Sequence, residues 1–150
     1  MSDLQTKLTR FRDLVSSRQE GYVLEGDALL AEISETLDRD ALHGLLRSFD
    51  DGASHDLMFS IIHAVEAWPD PDYCQALVGA VRELWDRSPY WAEVLHIRVL
   101  NSPSTLSTYL SLLESSDTSA KTAARRAFES ISLNYPALSE RATAFVEQFG

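Results

Sequence analysis

The chain has little of what usually signals a chemistry. A single cysteine, Cys74, in 150 residues excludes an internal disulfide and any paired-cysteine metal site, and points to a reducing compartment. Six glycines and five prolines are too few for a collagen-like or low-complexity chain, and the glycines are too scattered to build a phosphate-cradling loop. Lysine and arginine number 13 against 23 aspartates and glutamates, so the dense positive patch that holds nucleic-acid phosphates is missing. No apolar run approaches the roughly 20 residues of a membrane span. Met1-Ser2-Asp3-Leu4-Gln5 is followed by Lys7, Arg10, Arg12 and Asp13, which leaves no apolar centre for a secretion signal. Strand signals are nearly absent as well. Only Tyr22-Val23-Leu24, between Gly21 and Gly26, looks β-like, and three residues cannot found a sheet. A cytoplasmic chain without membrane contact is the expectation.

What is present is apolar content of 45% and charged content of 24%, the balance of an ordinary globular domain. A chain of this length buries roughly 68–70% of its unfolded surface, enough for one core, so residues 1–150 read as one domain. The formal charge of −10 is unevenly spread. Residues 1–19 carry a net +2, residues 20–72 carry −11 with only Arg39 and Arg47 as basic side chains, and residues 73–150 carry −1. Such a skew suggests a charged face.

Helical periodicity runs through nearly the whole chain. Ser2 and Gln5 form a capping box ahead of Leu4, Leu8, Phe11 and Val15. Asp27 is placed to cap a helix with Leu29, Leu30, Ile33 and Leu37, and a third helix follows Asp40 with Leu42, Leu45, Leu46 and Phe49. Asp50-Asp51-Gly52 stops it, and Ser54 caps a fourth with Leu57, Met58, Ile61, Ile62, Val65 and Trp68. Asp70-Pro71, Ser88-Pro89 and Ser102-Pro103 each set a capping side chain before a proline, which is preorganised for the first helical position. Asp117 or Thr118 opens an eighth helix, and Pro136 leads a last one with Leu138, Ala142, Phe145 and Phe149. The spacing predicts an all-α fold of eight to nine short antiparallel helices, paired into units of about thirty residues. Either an α-solenoid of HEAT-like rhythm or an irregular helical bundle satisfies that pattern.

No constellation demands catalysis. His43, His55, His63 and His96 show no H-x-x-x-H or H-E-x-x-H spacing and read as helix-surface residues, so no metal is expected. There is no nucleophile elbow, and Cys74 lies among apolar neighbours where it packs. No enzyme activity and no cofactor follow. Trp85 fits its helix's apolar stripe, whereas Trp68 and Trp91 stand at helix ends, where aromatic side chains rim a surface and anchor partners. Arg98 falls on the apolar side of its helix, a position for a structural tether to Glu66 or Glu83.

The stretch Ser88-Pro89-Tyr90-Trp91-Ala92, followed by Arg98-Val99-Leu100-Asn101-Ser102, resembles the all-helical immunity proteins of bacterial polymorphic-toxin systems, in particular the family numbered thirty. His63-Ala64-Val65-Glu66-Ala67-Trp68 looks like that family's preceding segment, and the likeness extends over about residues 42–115. The resemblance implies a non-catalytic binder that neutralises a cognate secreted toxin, as in contact-dependent growth inhibition; a monomer or weak dimer is the expected state. It carries over no residue-level binding motif.

The acidity points the same way independently. An inhibitor of a nuclease gains by being acidic, because the site it covers attracts phosphates, and complementary charge speeds encounter. Asp50, Asp51, Asp56, Asp70 and Asp72 are the first candidate face, with Trp68 and Trp91 as anchors. Those aspartates fall in turns at opposite ends of the fourth helix, so one patch must run along it through Glu66. Glu20, Glu25, Asp27, Glu32 and Glu35 form a second candidate set. The alternative is a HEAT-like scaffold or adaptor that binds a host protein.

Overall fold

Side-chain caps start four of the nine helices among the described residues. In a computed structural model describing residues 2–148, Ser2 Oγ accepts from the Gln5 amide at 3.1 Å and opens α1 (Asp3–Ser17). Ser54 Oγ likewise caps α4 (His55–Glu66), and Asp117 caps α8 (Thr118–Asn134) through the Ala120 amide at 2.8 Å. Between them lie α2 (Tyr22–Ser34), α3 (Arg39–Leu46), α5 (Asp70–Arg87), α6 (Pro89–Leu100) and α7 (Pro103–Glu114). A 3₁₀ turn (Pro136–Leu138) and α9 (Ser139–Gln148) follow. The described residues form nine α-helices and no strand, as the periodicity predicts; Phe149 lies outside them.

Several boundaries depart from expectation. Tyr22-Val23-Leu24 is not β-like but the first turn of α2, entered through Gly21 at φ 82°, a left-handed geometry that suits glycine. Gly26 is buried within that helix, where a β-carbon would lie 3.0 Å from Leu57, and Asp27 is an exposed mid-helix residue rather than a cap. Leu37 falls beyond the end of α2 and is 92% exposed. Asp38, not Asp40, caps α3. Asp70 sits inside α5 behind Pro69, and Ser88 and Ser102 occupy N-cap positions without side-chain caps. Proline's fixed φ suffices to start these helices, which frees Asp70 to bond to Ser104 and Thr105 of α7 and Ser88 to bond to the Phe49 carbonyl, while Ser102 bonds to Thr105 of its own helix.

Contacts run between each helix and its next or next-but-one neighbour. The first helix, α1, packs on α2 and α3; α2 packs on α4, α3 on α5, and α5 on α6 and α7. The result is a two-layer array, with α1, α3, α5 and α7 on one side and α2, α4 and α6 on the other. Hydrogen bonds join residues 32 apart: Arg12 to the Gly44 carbonyl, Arg18 to Asp50, Ser54 N–H to the Tyr22 hydroxyl, Arg47 to the Gly79 carbonyl, and Arg98 to Glu66. Helices of one layer therefore lie parallel in a fixed register, which gives the expected unit of about thirty residues its length. The C-terminal part breaks that order, because α8 covers α5 as well as α6, and α9 lies along α8.

Enclosure of α6 decides the fate of His96, which is fully buried rather than on the surface. Its Nδ1 donates to the Ala92 carbonyl at 2.6 Å, so Nε2 accepts from the Tyr109 hydroxyl, also at 2.6 Å. Burial pushes its pKa down to about 4. In the unfolded chain a histidine protonates near ~6.5. Stability from a neutral His96 is therefore complete above about pH 6.5 and is lost as pH falls toward about 4, by roughly 3 kcal/mol in all. Denaturant midpoints followed across that range will show this slope, and His96→Gln, which donates and accepts without titrating, will flatten it.

Candidate partner-binding surface

Most of the acidic residues singled out from the sequence are engaged within the fold. Asp50 accepts from Arg18 at 3.0 Å and from the Gly52 amide at 2.8 Å, closing the turn before α4. Asp51 is exposed and accepts from the Tyr90 amide in the first turn of α6 at 3.3 Å. Asp72 pairs with Arg39 at 2.8 Å. Asp56 lies exposed in the first turn of α4. The two aspartate groups do occupy opposite ends of α4, as the turn positions imply. Glu66 does not bridge them, because Arg98 holds it in a two-pronged ion pair at 2.7 and 2.6 Å. The expected tether of Arg98 to Glu66 is thus present.

The tryptophans separate. Trp68 is half-buried at the end of α4 and lines a cleft of about 480 Å³ with Leu37, Pro69 and Asp72. Trp91 does not rim a surface: it is 0% exposed and sits among Phe49, His55, Phe59 and Tyr90. The first turn of α6 faces inward at this point, since the preceding Ser88 is itself buried and donates to the Phe49 carbonyl at 2.9 Å. Trp85 is half-buried against the core.

At the far end of α4, a polar cleft of about 410 Å³ opens between α4, α5, α6 and α7. Glu66, Asp70, Tyr73, Arg98, Asn101, Ser102 and Thr105 line it. Asp70 accepts from Ser104 at 3.1 Å and Thr105 at 2.9 Å, so it ties α5 to α7 instead of capping its own helix. Cys74 packs behind this wall with its sulfur 3.5 Å from the Thr105 carbonyl, and burial pushes its thiol up to about 12, far from a reactive thiolate.

The outer faces of α2 and α4 lie side by side. Leu24, Asp27, Ala28, Ala31 and Glu35 are exposed at helical spacing on and just past α2. Asp56, Phe59, Ser60, His63 and Ala67 repeat the same spacing along α4, again exposed or partly so. The register of 32 residues that joins Tyr22 to Ser54 sets these positions opposite one another. Neither helix contains a lysine or arginine, and α6 has only Arg98. The opposite layer differs: α1 carries Lys7, Arg10 and Arg12, α3 carries Arg39, and α5 carries Arg82 and Arg87. Glu25 and Glu32, on the flank of α2, are neutralised by Arg10 and Lys7 of that layer. Basic side chains are therefore sorted by layer, and the two acidic candidate sets partly merge.

The family described as Immunity protein 30 matches the chain over residues 12–109. The chain belongs to that family. No curated protein and no solved structure matches it. The region shared with the immunity protein 30 family spans both outer faces and the whole polar cleft, and it stops at Tyr109, the partner of His96. Of the segments that carry the resemblance, Ser88 and Trp91 build the core, whereas Glu66, Arg98, Asn101 and Ser102 line the cleft.

Sequence reasoning missed Tyr73 and Thr105, whose place in the cleft depends on how α5 meets α7. It also missed Phe59, although that residue lies off the apolar stripe of α4 and is 37% exposed. Truncation will separate the core residue from the surface ones. Trp91→Ala is expected to cost about 3–5 kcal/mol in urea denaturation, and Asp56→Asn less than about 0.5 kcal/mol. Equal midpoints for the two variants would contradict the core placement.

Proposed function

We propose that this immunity protein binds and neutralises a cognate secreted antibacterial toxin domain by protein–protein contact, in the cytoplasm of the producing cell, with the outer face of α2 and α4 as the contact surface. The toxin this face suits presents a basic surface, as a nuclease does. The single observation that carries the reading is the complete lack of lysine and arginine on two adjacent helices of a family member, next to a layer that holds six. Asp27, Glu35 and Asp56 supply charge on that face, Asp51 adds to its edge, and Leu24 and Phe59 supply exposed apolar area. Trp68 stands at one end of the same layer. The buried ring of Trp91 acts from beneath, by holding Phe59 in an edge-to-face contact at 5.3 Å between centroids.

Exposed charge contributes mainly to the rate of encounter, and buried apolar anchors contribute mainly to the lifetime of the complex. Two measurements follow. Co-expression with the toxin domain encoded beside this chain restores growth and yields a complex; loss of both defeats the proposal. In stopped-flow mixing of that pair, Asp27→Asn, Glu35→Gln and Asp56→Asn combined lower the association rate by roughly tenfold at low salt and flatten its salt dependence. Phe59→Ala instead raises the dissociation rate. An unchanged salt slope would remove the three carboxylates from the mechanism.

A further inference from the structure

The cleft between α4 and α7 contains an imbalance that the fold leaves uncorrected. Three other half-buried acids have a cation: Asp50 has Arg18, Asp72 has Arg39, and Glu66 has Arg98; the buried Glu93, outside the cleft, is held by Ser130 and Asn134 instead. Asp70 is held only by the neutral hydroxyls of Ser104 and Thr105, and among the described residues no basic side chain pairs with it. Arg98, the one cation of the lining, has already closed on Glu66. Beside Asp70, Tyr73 is 3% exposed, yet its hydroxyl has no hydrogen-bond partner among the described residues. That hydroxyl is close enough to Glu66, Asp70 and Arg98 for all three charges to act on it. A buried phenol without a partner costs free energy that a bound group would recover.

The helix ends at this place offset one another. The C-termini of α4 and α6 reach the rim, and the N-termini of α5 and α7 start there, each with a proline in its first turn. Side chains therefore decide the sign, and their sum is one negative charge. An anion would meet both Glu66 and Asp70.

We infer that this cleft receives an arginine side chain of the bound partner, its guanidinium set against Asp70 and the Tyr73 hydroxyl. The inference rests on the immunity reading for the source of that arginine. Arginine fits better than lysine because the acceptors are spread over two walls, Asp70 and Tyr73 on α5 and Ser102 at the start of α7, and a planar fork of five donors reaches several at once. The cleft lies at the end of the α4 outer face, just past Ala67, so one docked protein spans both.

The test uses the full chain without any toxin. Amide resonances are followed by ¹H–¹⁵N NMR during titration with N-acetyl-arginine amide, with the citrulline and lysine analogues in parallel. Saturable shifts at Asn101, Ser102 and Thr105 are expected for the arginine compound, with the lysine compound weaker and the neutral citrulline compound inert. Asp70→Asn weakens the response by roughly tenfold. Tyr73→Phe, which removes only an unpaired hydroxyl and leaves the fold intact, weakens it by roughly threefold. Equal shifts from citrulline, an undiminished response in both variants, or no saturable shift overturns the inference. Growth rescue by co-expression reports separately: rescue without arginine binding sinks only the cleft, and arginine binding without rescue sinks only the immunity reading.

Discussion

A helix enclosed on most sides must have each of its polar groups answered by a neighbour, and α6 is under that constraint. Trp91, Ala92, Glu93, Leu95, His96, Val99 and Leu100 are all buried on it. Glu93 accepts from Ser130 and Asn134 of α8, and His96 bonds to Tyr109 of α7. Arg98 reaches back to Glu66 of α4, and Ser88, at the start of α6, reaches the Phe49 carbonyl beyond α3. Apolar packing alone would tolerate a sliding or rotated α6. These polar bonds do not, since a slip by one residue would strand a carboxylate or an imidazole away from water at a cost of several kcal/mol. This helix, which lies within the region matched to the family, is thus the one that sets the register of the C-terminal half.

The same register organises charge. Because helices of one layer run parallel with equivalent positions 32 residues apart, a residue preference at one helical position reappears on the adjacent helix at the same height. Omitting lysine and arginine from α2 and α4 gives a continuous face rather than two separate stripes. In the other layer, arginines serve mostly as braces: Arg12 and Arg47 donate to carbonyls of the next helix of that layer, and Arg18 holds the turn ahead of α4. On the flank of α2, Arg10 and Lys7 of that layer neutralise Glu25 and Glu32, whereas Asp27, Glu35 and Asp56 on the outer face have no ion pair among the described residues.

Helix number, order and class were legible in the sequence, because apolar spacing and the Ser2, Ser54 and Asp117 caps are local signals. Arg98 with Glu66 was legible too, since an arginine on an apolar stripe requires a counter-ion. The failures have one cause. Tyr22-Val23-Leu24 reads as β-like between two glycines, when Gly26 lies inside α2 and lets Leu57 of α4 approach. Trp91 reads as a rim residue from its place at a helix end and His96 as a surface residue from its lack of ligand spacing, when α8 folds over their helix. Asp70 read as a cap because its target hydroxyls on α7 are more than thirty residues away. Contacts between distant segments leave no periodic trace. The candidate surface suffered most: the acidic excess of residues 20–72 was plain, but which carboxylates stay free depended on where the arginines land.

That division has an energetic logic. Asp27, Glu35 and Asp56 are exposed, and at physiological salt charges separated by more than about 8 Å are largely screened from one another. Keeping them unpaired costs the free protein almost nothing, so they are held in reserve for an approaching basic surface. Asp70 and Tyr73 are different, because a half-buried carboxylate without a cation and a buried hydroxyl without a partner both weaken the isolated fold. Phenylalanine at position 73 would remove the hydroxyl's share of that cost with no loss of packing. A fold that pairs Asp50, Asp72 and Glu66 with arginines leaves Asp70 without one, in the cleft where Glu66, Arg98, Asn101 and Ser102 converge. Stability gives no reason for that arrangement, whereas a cationic group arriving from outside gives one.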